Sequence, residues 1–386
     1  MRKIAGLASS TVLLAAGLGL SACQASHSAS TSAVAPVFAP STTPPSPTAF
    51  AFVTNSNAGT IATYTVSNGR LSSSPIGVTN IEASSVPRWI ALNGGFAYVV
   101  NTGFDDVSTY TVNPDGLSAV PVSTTAPVSG TSPNKIILNS THTLAYVSNL
   151  AAGDVSTYAI HHGLLGTDPV STTTAAQGYY VAGIILSRSG RHLYAVYFQN
   201  SGSSGDGYVA SYAVTNGIPA TVPMSTTEVA RYTNPMGIAI SFSGRHIYVV
   251  NTGTGNISTY TTTNGALSAQ PVATTTAVTG SSPFIDALGP SGKTLYVANQ
   301  GTGTIASYRI SNGIPAATPL STTDSVKGSA PFCVVVGARG DFVYVTNEGG
   351  DTLASYAVAN GVLSSAPAHT TTAAPDSGPF WIALAP

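Results

Sequence analysis

One phrase of the sequence recurs at nearly constant spacing. The stretch 98-YVVNTGFDDVSTYTV-112 returns as 248-YVVNTGTGNISTYTT-262 and as 296-YVANQGTGTIASYRI-310. The Asn that closes its first half stands at Asn55, Asn101, Asn149, Asn251, Asn299 and Asn347, with Tyr197 in that slot of the remaining copy. The period is about 48 residues except where one copy is longer. A unit this short cannot bury its own hydrophobic face and must stack on its neighbours, so the chain is confined to a repeat architecture.

Each complete copy holds four strand-like segments in fixed order. An apolar run such as 283-PFIDAL-288 comes first, then the Tyr-Val-x-Asn segment, then Ser-Thr-Tyr; a turn of the kind Asn68-Gly69, Asn216-Gly217 or Asn312-Gly313 starts the fourth. Asn-Gly is a strong hairpin signal because both turn residues need positive φ. Composition agrees, with Thr, Val, Tyr, Gly and Asn abundant and helix formers scarce. The expected fold is all-β: a seven-bladed β-propeller with four antiparallel strands per blade. The first copy opens at 50-FAFVTN-55 without an apolar run, and the chain finishes on an orphan one, 379-PFWIAL-384. The C-terminal strand is therefore expected to complete the N-terminal blade and close the ring. An open solenoid would instead need capping repeats.

Residues 1–22 read as a lipoprotein signal peptide: Arg2 and Lys3, an apolar run from Ile4 to Leu20, and 20-LSAC-23. Cys23 is the expected lipidation site. Residues 23–48, rich in Ser, Thr, Ala and Pro, read as a tether, and 49–386 as the propeller. With Cys23 lipidated, Cys333 has no disulfide partner. The expected localisation is exported and lipid-anchored to a membrane, and Gln24 in place of Asp points to the outer membrane if the bacterium is Gram-negative. Charged residues make up only 7% of the chain and the net charge is -1, which leaves no basic field for nucleic acid. A monomer is expected.

Thirteen tyrosines fall at two repeat positions, as Tyr64 and Tyr98 begin to show, and read as packing. The repeated Asn reads as bonding backbone in the turn that follows it. Tyr-Val-x-Asn in this setting resembles the bacterial YVTN-repeat propellers and, more broadly, the lactonase-family seven-bladed propellers related to 6-phosphogluconolactonase. The resemblance covers residues from about 50 to 386. It implies lactone hydrolysis or muconate cyclisation in some members, with His, Arg and Glu around the central site.

The sequence departs from that site. His142, His161, His162, His192 and His246 belong to the bottom turns, His369 to an outer strand and His27 to the tether, so no His is expected at the top mouth. There is no nucleophile elbow, no zinc-spaced Cys/His cluster and no sign of a cofactor, while scattered oxygen ligands for a metal stay open. Acidic residues such as Asp105, Glu348 and Asp351 map to top turns and basic ones such as Arg191 and Arg245 to bottom turns. The acidic top is expected to exclude anions from its rim.

Function is sought where residues break the repeat. Trp89 and Trp381 occupy equivalent positions in neighbouring blades, and with Arg88, Lys135 and Arg231 they suggest an aromatic and cationic pocket at the channel mouth. Asp286 replaces a residue that is Ile90, Ile136, Ile184, Ile238, Val334 or Ile382 elsewhere, and a buried carboxylate must be paired, solvated or protonated. Tyr179 and Tyr180 replace the usual Ser-Pro, and 197-YFQNSGSSGDGY-208 carries six extra residues. The main expectation is a propeller that binds an envelope protein or small ligand at its top face, with Trp89, Trp381, Arg231 and Tyr180 in contact. One alternative is a lactonase-like hydrolase in which Asp286 is the base and Arg88 and Lys135 stabilise the oxyanion; another is a structural envelope protein.

Overall fold

A computed structural model describes residues 49–126, 130–174, 176–199, 206–278, 280–326 and 329–385. The segments read as signal peptide and tether, with Cys23, and residues 200–205 of the long turn lie outside the described residues. Seven antiparallel sheets are arranged in sequence order, each running from an innermost strand to an outer edge. The seventh closes as expected: Pro379–Ala385 pairs antiparallel with Ala49–Asn55, in a register that sets Phe52 opposite Ala383 and Thr54 opposite Trp381. We number this sheet blade 1, and the blades whose inner strands begin at Pro87, Pro133, Tyr179, Pro235, Pro283 and Pro331 are blades 2 to 7. Pairing first with last leaves no open end to the ring.

The fourth strand of every blade is broken in two. In blade 1, Arg70–Leu71 and Gly77–Asn80 both pair with the third strand, Thr60–Ser67. Between the pieces stands a proline, and Pro121, Pro169, Pro223, Pro271, Pro319 and Pro367 repeat it around the ring. Proline cannot donate to a ladder, so it is tolerated at an outer edge, where it also blunts pairing with another chain.

Blades are joined by the tyrosines. Tyr98 Oη donates to the Gly163 carbonyl at 3.0 Å and Tyr146 Oη to that of Gly217 at 2.7 Å, so a second-strand ring reaches the hairpin of the next blade. The repeated Asn behaves differently from expectation. Its Nδ2 donates across its own hairpin to side chains, from Asn101 to Asp106 Oδ1 at 2.7 Å and to Ser108 Oγ at 2.9 Å, and likewise from Asn149 to Asp154 and Ser156. Backbone acceptors in that turn are consumed by the turn itself, as in Gly59 N–H to Asn55 O at 3.0 Å.

Candidate functional site

All seven innermost strands share an irregularity near their start. The register against the second strand shifts between Pro133 and Lys135, between Pro235 and Gly237, and at the same place in every other blade. One extra residue is thereby bulged out: Arg88, Asn134, Ala182, Met236, Phe284, Phe332 or Phe380. Bulges re-aim side chains and recur beside binding sites. In three blades a hydroxyl of the second strand accepts the N–H that follows the bulge, at 3.1 Å each: Thr54 from Trp381, Ser148 from Lys135 and Thr346 from Cys333. Thr54 and Thr346 then donate to the carbonyls of Arg88 and Phe380 in the next blade, at 2.7 and 2.9 Å. Bulge and blade contact are fixed by one side chain.

The bulged residues meet around the axis. Ring centroids of Phe284 and Phe332 lie 4.7 Å apart and those of Phe332 and Phe380 4.0 Å. The Arg88 guanidinium lies 5.2 Å from the Phe380 centroid and Arg88 Nη1 donates to Asn134 Oδ1 at 3.4 Å, while Asn134 Nδ2 reaches the Ala182 carbonyl at 3.5 Å. Every member of this ring is buried except Arg88, which is half-buried.

One position further in come Trp89, Lys135, Gly183, Gly237, Ile285, Cys333 and Trp381. Trp89 and Trp381 stack with centroids 3.2 Å apart at 24°, and Lys135 Nζ sits 4.6 Å from the Trp89 ring. The expected aromatic and cationic cluster therefore forms, but as packing: both indoles are buried and Lys135 is 1% exposed. The physical reason is their own packing: the two indoles cover each other and Lys135 covers the Trp89 face, which closes all three off from solvent. Arg231 does not join them; it stands exposed on the strand-free loop before blade 5.

Asp286 lies a further position along its strand, opposite Val297, and is 0% exposed. It fits because Gly237 of blade 5 has no side chain: a Cβ there would stand 2.8 Å from Asp286 Oδ1. Neither carboxylate oxygen has a hydrogen-bond partner in another residue. Burial pushes its pKa up to about 8, opposed by the charge of Lys135 and by its own backbone N–H. Asp286 is therefore largely protonated at neutral pH. Its oxygens are shut off from solvent.

The charge that acts on Arg88 is that of Glu348. This residue opens a short 3-10 turn, Glu348–Gly350, directly after the second strand of blade 7. Burial raises the Glu348 pKa, the Arg88 charge lowers it and Asp351 raises it again; burial lowers that of Arg88 and Glu348 opposes this. Arg88 Nε is buried without a partner. The matching turn before Arg88, Ala83–Ser85, ends on Val86 at φ 47°. Ser132, Asn234, Ser282 and Gly378 hold that left-handed slot in four other blades, so only here does a β-branched residue carry the strain.

Asp105 and Asp351 are loop clamps. Asp105 accepts the N–H groups of Gly130 and Ser132 at 2.8 and 2.7 Å, and Asp351 those of Asp376 and Gly378 at 2.7 and 2.9 Å. Blade 4 is the other departure. Tyr197 and Tyr208 stack at 4.5 Å where other blades pair Asn with a polar side chain, Tyr197 and Tyr212 hydroxyls meet at 2.7 Å, and Tyr180 packs 5.3 Å from Phe198. Tyr180 is half-buried beside a loop whose tip is outside the described residues. His192 and His246 lie against Gly265 and Gly313 of neighbouring hairpins, at the bottom as expected.

Glu348 was open to the column comparison that exposes Asp286. It is the one charged residue directly after the repeated Asn, where Ser56, Thr102, Leu150, Thr252 and Gln300 stand in other copies.

The fold is that of a lactonase-type propeller. The chain belongs to the lactonase seven-bladed β-propeller family, whose model matches residues 90–216 and 209–386. Among solved structures it is similar to a Bacteroides fragilis protein assigned by name as a 6-phosphogluconolactonase, with TM-score 0.74 and 15% identity over 90% of this chain and 100% of that one. A Pseudomonas aeruginosa periplasmic gluconolactonase gives TM-score 0.71 and 18% identity over 88% of this chain and 99% of that one. A Lactobacillus plantarum protein gives 0.72 and 18% over 88% and 99%. At these identities the structures speak for the fold. No curated protein matches the sequence.

Proposed function

We propose that this chain hydrolyses a lactone at the channel mouth of its top face. The observation that carries the reading is Arg88, the one half-buried member of a ring that is otherwise closed, its Nε buried without a partner and Glu348 the charge that acts on it. Membership of the lactonase family supports the choice of reaction, and the Pseudomonas gluconolactonase supports a sugar lactone as the first substrate to try.

Arg88 polarises the lactone carbonyl and holds the oxyanion formed when water adds to it. Glu348 takes the proton from that water, a task for which a carboxylate raised above its usual range is suited. As the ring C–O bond breaks, Glu348 returns the proton to the leaving ring oxygen, and lactone plus water becomes a hydroxy acid. Trp89, Trp381 and Lys135 support the floor beneath Arg88, and Asp286 takes no part. The unpartnered Arg88 Nε also supports a second reading, capture of a small ligand without turnover.

The N-terminal segment supports an exported enzyme anchored through lipid on Cys23, in the outer membrane of a Gram-negative host. Cys23→Ser is then expected to release the protein from membranes.

Hydrolysis is tested by following proton release from a panel of sugar and acyl lactones with residues 49–386, above the spontaneous rate. Saturable turnover that Glu348→Gln removes is expected. No enzymatic rate anywhere in the panel rejects hydrolysis, and ligand binding lost in Arg88→Ala would then favour capture.

A further inference from the structure

At the bottom of the propeller the residue just before each second strand fills one backbone slot, where its carbonyl accepts an N–H from the third strand. Gly95 and Thr143 hold the slot in blades 2 and 3. In blades 4, 5 and 6 it passes to Arg191, Arg245 and Lys293, whose carbonyls accept from Val214, Thr262 and Ile310 at 2.8, 2.9 and 2.8 Å, and all three side chains are exposed. More cations adjoin them. Exposed Arg309 stands opposite Thr294, the residue after Lys293. Exposed Arg188 crosses from the blade 4 turn to the Phe242 ring of the blade 5 turn, 3.9 Å away. In blade 7 the slot holds Asp341, with exposed Arg339 two residues before it. His192 and His246, next to Arg191 and Arg245, lie against the hairpins of blades 5 and 6, so these turns form one continuous arc. Among the described residues Asp341 is the one carboxylate in the bottom turns of blades 4 to 7. The whole chain carries a net charge of -1, so any pull on an anionic surface belongs to this arc and not to the molecule at large.

The chain enters the propeller on the same face. In blade 1 Ala49 takes the slot of those cations, opposite Val66 and beside the Asn68-Gly69 hairpin, and Gly69 lies against Phe342 of blade 7, three residues after Arg339. Residues 23–48, which lead from Ala49 back to Cys23, contain no Lys, Arg, Asp or Glu. Even at full extension they place Ala49 no more than about 90 Å from a lipid on Cys23. Anionic lipids attract cations that come within a Debye length of the bilayer. Ile314 and Val362, exposed in the hairpins of blades 6 and 7, add apolar contact at such a boundary. We infer that the bottom face of blades 4 to 7 docks on anionic phospholipid headgroups and so turns the channel mouth away from the bilayer. Strand direction sets the second half of that statement, because Ala49–Asn55 runs from the bottom to the top and Glu348 follows Asn347, the counterpart of Asn55. The inference rests on the lipid-anchored reading above for bringing the face to a membrane, and it is independent of hydrolysis.

The experiment measures flotation of the chain from residue 23 onward, with Cys23→Ser so that no lipid contributes, on phosphatidylcholine vesicles with and without phosphatidylglycerol. Binding is expected only with phosphatidylglycerol and is expected to weaken as salt is added. Replacing Arg191, Arg245 and Lys293 together by Gln should lower the partition coefficient at least tenfold, while Arg231→Gln, on a top loop, should leave it within about twofold. No binding to the anionic vesicles overturns the inference, and retention on polyglutamate in that case would give the arc to an acidic protein. Equal binding to both vesicle types overturns charge as the cause. Binding that survives the triple substitution overturns the assignment of the face. The anchor is tested separately by mass: a wild-type chain without lipid on Cys23 refutes the anchor, and the vesicle result still decides the docking.

Discussion

The central channel contains two departures from the repeat that look alike in sequence and have opposite physical fates. At the mouth, Arg88 stands in a column of Asn134, Ala182, Met236 and three phenylalanines, and stays half-buried with Glu348 as the charge that acts on it. Two positions deeper along the strands, Asp286 stands in a column of aliphatic residues and loses all contact with solvent. Both are lone charges in uncharged columns. Arg88 stands at the bulge, where six other residues are buried, and is the one member left half-buried; Asp286 stands two positions on, in a layer buried throughout. An anomalous charge is thus a functional candidate only once its access is known. The buried one is tolerated because Gly237 makes room and because protonation removes its charge.

The comparison is broken most severely if Glu348 is dispensable. Glu348→Gln is expected to lower kcat/KM for a lactone by about 10²- to 10⁴-fold. In the wild type the rate should rise with pH through a carboxylate pKa shifted upward by burial, and this limb should vanish in the variant. Arg88→Ala, with the oxyanion donor gone, is expected to cost about 10²- to 10³-fold in kcat.

Asp286→Asn should leave turnover unchanged within about twofold and act on stability instead, by on the order of 2 kcal/mol. The sign follows from linkage. The folded-state pKa is raised from 3.8 to about 8, so between those values the native state binds more protons than the unfolded chain. Wild-type stability contributed by this group is present at low pH and lost as pH rises toward 8, and denaturant melts of the Asn variant should lack that loss. The smallest effect belongs to the frame: Tyr146→Phe removes the bond to Gly217 and should cost about 1 kcal/mol in the same melts, with no change in turnover.

Much of the frame was legible because it is said seven times. The Asn-Gly turns, the tyrosine columns and the split first blade predict the ring and its closure, and pairing of Pro379–Ala385 with Ala49–Asn55 bears this out. The site was legible only in part. Arg88, Asp286 and the tryptophans announce themselves as departures, but side-chain access depends on packing between blades, which no single repeat shows. That is why Trp89 and Trp381 read as a pocket and are found stacked beneath the mouth. The Arg88–Glu348 coupling spans blades 2 and 7 across blade 1, a proximity created by ring closure and absent from any single repeat. The clamps at Asp105 and Asp351 were read as rim charge, since nothing in an Asp at a turn says which loop amides it will meet.

The central claim is that chemistry belongs to the half-buried Arg88 and Glu348 and not to the buried carboxylate. The most direct measurement is lactone-dependent proton release by the soluble propeller, taken side by side for wild type, Arg88→Ala and Asp286→Asn under one set of conditions. The account predicts turnover in wild type and Asp286→Asn and at least a hundredfold loss in Arg88→Ala. Activity that survives in Arg88→Ala and disappears in Asp286→Asn would contradict it.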